Sequence, residues 1–145
     1  MNDRVRNKLD ETIRAVAATG GVIGVSIHGF MNWDGDPAHP PTLANFVRHA
    51  QHVADLVGVE HVGIGTDFSA VRDESFAQSI LDMSKGSYPE TGGVFAAAFG
   101  NTSAGRYPAE TPTPREFPRI LDALRDGGFS AAEVDAIGGG NFMRA

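Results

Sequence analysis

The sequence predicts an α/β fold in which two parallel strands are flanked by helices. Three observations carry that reading. Val22 to Ile27 and Val62 to Gly65 are short, nearly continuous apolar runs rich in β-branched residues, the pattern of strands buried on both faces. A segment with helical spacing joins them, with Phe46, Ala50, Val53 and Val57 on one face. A similar segment precedes the first run, and the order helix, strand, loop, helix, strand calls for parallel strands joined by a right-handed crossover.

Each element has its own local signals. In the first helix Leu9, Ile13 and Val16 form the apolar face, Asn7 is the expected cap, and Asp10 and Glu11 put negative charge in the first turn, where the helix dipole favours it. Gly20-Gly21 ends it. After the first strand, His28 to Pro41 contains two glycines and three prolines and reads as a long loop. Thr42 caps the second helix and Gly58 closes it. From Ser69 to Pro114 the pattern is weak. Phe76, Ile80, Leu81 and Met83 indicate a helical turn or two, and the rest reads as an extended loop. Phe117, Ile120, Leu121 and Leu124 define a third helix ended by Gly127-Gly128. Ser130 and Glu133 form a capping box for a fourth, and Asn141 is placed to cap a last turn.

With 145 residues and a hydrophobic fraction of 41%, the chain is expected to form a single domain, and its 18 glycines and few strong strands point to residues 1–145 being a partial domain, part of something larger. A net charge of -6, with twelve scattered basic residues, argues against a nucleic-acid or anionic-membrane surface. Without cysteine, disulfides, thiolate metal sites and a cysteine nucleophile are excluded. No apolar run approaches the roughly 20 residues of a membrane span, and a cytoplasmic location is expected.

The chemistry centres on Asp67. It directly follows the second strand, and in parallel α/β folds ligands bind at the carboxyl ends of strands. A buried acid is expected there, and it can act as general acid/base or hold a metal-bound water, or equally form a turn. His28 follows the first strand and points to the same rim. His49 and His52, three apart on the second helix, lack a nearby third ligand and read as surface residues. Asp34-Gly35-Asp36 fails as a calcium loop because the required glycine and closing glutamate are misplaced. Arg4 and Arg6 can fork onto a carboxylate or be solvated.

Arg6-Asn7 with Asp10-Glu11, Gly20 to Gly24, Pro41 to Leu43, Val59 to Phe68, and Gly128 to Phe142 run in an order that resembles the membrane (renal) dipeptidase family. The resemblance implies the carboxyl-terminal part of a (β/α)8 barrel of the metal-dependent hydrolase type, acting on dipeptides with two zinc ions. It implies that Asp67 moves the proton between nucleophile and leaving amine, and that Arg6 pairs with the substrate carboxylate. Where family members commonly have Asp-Phe-Asp-Gly, this chain has Asp67-Phe68-Ser69-Ala70. The resemblance places the zinc ligands before the position of Met1, so no metal ligand is assigned here and the isolated chain is expected to be inactive. A partner supplying the missing barrel half, or self-association, is then expected to cover the open strand edges. The alternative expectation is a non-catalytic remnant or interaction module.

Overall fold

In the computed structural model, residues 7–34, 36, 38–68 and 107–145 are described, together with positions 75, 79, 82 and 86. Helix α1, Asp10–Ala18, leads to strand β1, Ile23–Ser26. A one-turn helix α2, Gly29–Asn32, precedes the long helix α3, Leu43–Val57. A 3-10 turn, Val59–His61, delivers the chain to strand β2, Val62–Gly65. After a second 3-10 turn, Pro114–Glu116, come α4, Phe117–Asp126, and α5, Ala131–Asp135. A wider helical turn, Ala136–Gly140, runs into α6, Asn141–Arg144.

The strands pair in parallel with Ile23 opposite Val62, Gly24 opposite Gly63, Val25 opposite Ile64 and Ser26 opposite Gly65. Side chains alternate along a strand, so this register sorts the sheet into a large-residue face and a small-residue face. Val25, Val62 and Ile27 are buried with Phe46, Val47, Ala50 and Val53 of α3, and with Ile120 and Leu124 of α4. Hydrophobic burial of this face is the main force holding α3 on the sheet. The opposite face presents Gly24, Ser26, Gly63 and Gly65. At Gly63 a Cβ would stand 2.4 Å from the Phe142 ring, so only glycine admits that close approach.

The α3 boundaries follow their local chemistry. Asn45 Oδ1 accepts from the Thr42 backbone amide at 3.0 Å and from the Thr42 hydroxyl at 2.8 Å. Gly58, with φ 103, turns the chain out of the helix in a conformation that disfavours other residues. The Ser130–Glu133 capping box forms as read, with the Ser130 amide donating to Glu133 Oε2 at 2.8 Å. That amide, then the Ser130 hydroxyl, holds the Glu133 carboxyl below the usual carboxylate range.

Several expectations are corrected. Asn7 does not cap α1: Leu9 occupies the cap position, and the Asn7 amide donates to the Met31 carbonyl at 3.2 Å. Leu9 does not join the apolar face and is 65% exposed. The stretch His28 to Pro41 is not all loop, because α2 lies within it and Trp33 behind α2 is buried. Asn141 does not cap with its side chain. Its amide donates to the carbonyls of Val59 at 2.8 Å and Val62 at 2.7 Å, tying the last helix to the start of β2. The extended loop read over 69–114 falls largely outside the described residues. Positions 75, 79, 82 and 86 are helical, and Tyr107, Pro108 and Thr111 are buried.

Candidate functional site

The carboxyl ends of β1 and β2 form a polar rim. At the end of β1, the His28 amide donates to Ser26 Oγ at 3.0 Å. The buried Asn32 of α2 donates to the carbonyls of Ser26 at 2.7 Å and His28 at 3.0 Å. One asparagine thus satisfies backbone acceptors released where the strand stops pairing. Around His28 the ring contacts are edge-on, to Phe30 at 6.4 Å and to Tyr107 at 5.9 Å between centroids.

At the end of β2, Asp67 takes φ 51, a left-handed conformation that aspartate tolerates better than most residues. Its carbonyl accepts from the Tyr107 hydroxyl, and Phe68 packs on the Tyr107 ring at 5.2 Å. The sequence reading of a buried acid is corrected: Asp67 is exposed. The left-handed turn explains this, since it carries the residue out of the strand's alternation.

A cavity of about 550 Å³ opens beside this rim and runs along β1, between α1 and α3. Lys8, Ser26, Asn32, His49, Gly65 and Asp67 are among its lining residues, over an apolar floor that includes Ile13, Val25 and Val53. His49 is therefore not a plain surface residue. Burial lowers its pKa from 6.5 to about 4, with the positive charge of Arg48 and the neighbouring His52 adding to the effect. Its imidazole is neutral at pH 7.

The remaining histidines have structural partners. His52 Nε2 lies 2.8 Å from Asp10 Oδ1, joining α3 to α1. His61 Nδ1 lies 2.8 Å from the Gly21 carbonyl. His39 Nδ1 sits 3.2 Å from Asp36 Oδ2 and 3.7 Å from Asp34 Oδ2 in an exposed loop. Arg6 and Arg4 lie outside the described residues.

The structure thus brings His28 and Asp67 to one rim, as the sequence reading expects. It adds Ser26, Asn32 and Tyr107, which that reading passes over, and His49, which that reading leaves on the surface. A zinc ion needs four ligands, three from protein even in catalytic sites. Among the described residues no three of His, Asp or Glu gather to hold a metal. These residues do not by themselves fit a binuclear zinc centre.

The sequence model for membrane dipeptidase (Peptidase family M19) matches residues 1–85, more than half of the chain. The chain belongs to the membrane dipeptidase family. It is 39% identical over 85 residues to dipeptidase verJ of Clonostachys rogersoniana, covering 59% of this chain and 20% of that one. To dipeptidase aclJ of Aspergillus oryzae it is 25% identical over 141 residues, 96% of this chain and 25% of that one. The chain therefore spans about a fifth to a quarter of the length of these curated relatives. Among solved structures, an amidohydrolase from Pseudomonas aeruginosa superposes with a TM-score of 0.68 at 23% identity, covering 98% of this chain and 40% of that one. This likeness speaks for the fold alone. Among the described residues no helix is long and apolar enough to cross a membrane.

Proposed function

We propose that this chain is the carboxyl-terminal part of a (β/α)8-barrel dipeptidase, supplying Asp67 as acid/base and Arg6 as the anchor for the substrate's carboxylate. The observation that most supports this is the position of Asp67. It lies just past the end of a parallel strand, with Thr66 between, is exposed, and lines a cavity shared with Ser26, Asn32 and His49. Ligand sites of parallel α/β folds lie at this end of the strands.

Dipeptide hydrolysis forms a carbon–oxygen bond, breaks the carbon–nitrogen bond, and moves a proton from the attacking water to the leaving amine. The Asp67 carboxylate suits both transfers, accepting the proton and returning it to the nitrogen, so that it ends ionised as it began. Arg6 would fork onto the substrate's carboxylate through paired hydrogen bonds. The family resemblance brings two zinc ions, for which the described residues do not provide the donors. We place those donors on barrel strands beyond these 145 residues. The substrate in this reading is a dipeptide, with no role for nucleic acid or membrane, and the setting is cytoplasmic.

The test joins this chain to the amino-terminal barrel portion of a family member and measures dipeptide hydrolysis and bound zinc. Both should appear in the joined protein and be missing from the 145-residue chain. A joined protein that folds and binds zinc yet hydrolyses no dipeptide would sink the reading.

One observation favours a second reading, a non-catalytic remnant that associates through its uncovered surfaces. Leu9 before α1 is 65% and Met143 of α6 89% exposed, and the sheet has two described strands. Sedimentation of the chain alone distinguishes the two. A stable oligomer, with an inert joined protein, favours the remnant.

A further inference from the structure

We infer that Tyr107 is a positioning residue for Asp67, an inference that rests on the proposed acid/base role of Asp67. Among the described residues, Asp67 alone combines a side chain with positive φ. A left-handed residue at a strand end is held only where its surroundings determine it. The local sequence offers little to do so: the Phe68 amide reaches the Thr66 hydroxyl at a long 3.4 Å. The Tyr107 hydroxyl, from 40 residues along the chain, donates to the Asp67 carbonyl instead.

Tyr107 is itself firmly placed. It is 6% exposed, and its ring is packed by Phe68 on one side and His28 on another. Pro108 and Thr111 behind it are buried, and the Thr111 amide closes a turn onto the Pro108 carbonyl at 2.9 Å. A buried phenol thus grips the main chain of Asp67 while leaving the carboxylate exposed at the cavity. The arrangement separates fixing the residue from occupying its reactive group. It also links the rim of β2 to that of β1, because the same ring touches His28.

Tyr107→Phe removes the donor and keeps the ring. In the 145-residue chain, NMR should show a strong amide-to-α-proton NOE within Asp67, the mark of positive φ. In Y107F that NOE should weaken, and exchange broadening should appear at Thr66 to Phe68 while the core resonances of α3 stay in place. An unchanged NOE and unchanged line widths would overturn the inference. Should Y107F fail to fold, the unmutated chain still decides. The Tyr107 hydroxyl proton should be visible at low temperature with an NOE to the Phe68 amide, and its absence there counts against the hydrogen bond.

Kinetics in the joined enzyme then separate positioning from mere structure. Y107F should lower kcat by about 10-fold with KM unchanged, the scale of a misplaced catalytic group. It should have no further effect in an Asp67→Asn background, because the tyrosine acts through that carboxylate. Full additivity with D67N would overturn the inference. If D67N alone leaves kcat unchanged, the acid/base reading fails, while the NOE still reports whether Tyr107 holds the turn.

Discussion

The two ends of the β1–β2 sheet are built by different means. At the amino-terminal end the chain closes on itself: the Asn141 amide ties the carbonyls of Val59 and Val62, Arg144 donates to the Glu60 carbonyl at 2.7 Å, and the Phe142 ring lies over Gly63. At the carboxyl-terminal end, asparagine and tyrosine also grip backbone carbonyls, but Asp67 faces a cavity and stays exposed. Both ends use side chains to satisfy backbone where pairing stops. Only the second sets an exposed carboxylate against the cavity, the division between stability and reactivity expected of parallel α/β folds.

Substitutions at the two ends should therefore separate activity from stability. The largest effect is expected at the rim, where Asp67→Asn in the joined enzyme should lower kcat by about 10²-fold or more with zinc retained. Thermal unfolding of the same variant should match the parent, since asparagine also accepts a left-handed conformation. A loss confined to KM would assign Asp67 to binding instead. At the base, Asn141→Ala strips the donor from two carbonyls and should reduce stability by about 2 kcal/mol in urea unfolding. Gly63→Ala should cost about 1–2 kcal/mol by forcing the Phe142 ring aside, and increased solvent exposure of Phe142 in the variant would confirm the route.

The smallest effect is a pH dependence that reports on the cavity. His49 has its pKa lowered to about 4 in the folded chain against 6.5 unfolded. Between these values the unfolded state binds more protons, so stability falls as pH drops from about 6.5 to about 4, and His49 adds no further loss below that. Urea midpoints measured across this window should fall in the parent and fall less in His49→Gln. Identical slopes would show that His49 stays as accessible folded as unfolded.

How much of this was legible in the sequence depends on how far each residue's partner lies along the chain. The limits of β2, the Gly58 stop and the Ser130–Glu133 box are local patterns and were readable from neighbours alone. Asn7 and Asn141 look like caps in the sequence because an asparagine near a helix start has that appearance whether its amide turns inward or reaches another element. Helix α2 was hidden by the glycine and prolines around it, which read as loop although Asn32 stabilises the turn. The position of Asp67 was visible, its exposure was not, because nothing near it announces a left-handed residue. Tyr107 had no signal at all: one aromatic among several in a stretch rich in Gly, Ser, Thr and Pro, whose partner lies 40 residues away. The family resemblance supplied roles for Asp67 and Arg6 that no spacing could.

The base clamp also bears on the order in which the structure assembles. β1, α3 and β2 lie within one stretch of 43 residues, from Ile23 to Gly65, and can form together, whereas the Asn141 contacts close over separations of 79 and 82 residues and the Arg144 contact over 84. Contacts of such long range are costly to bring together early, and topologies rich in them fold slowly. The clamp is then expected to close after the main folding barrier, so that Asn141→Ala speeds unfolding and leaves the folding rate nearly unchanged. In kinetic terms, the residues that seal the base of the sheet act as a latch on its lifetime.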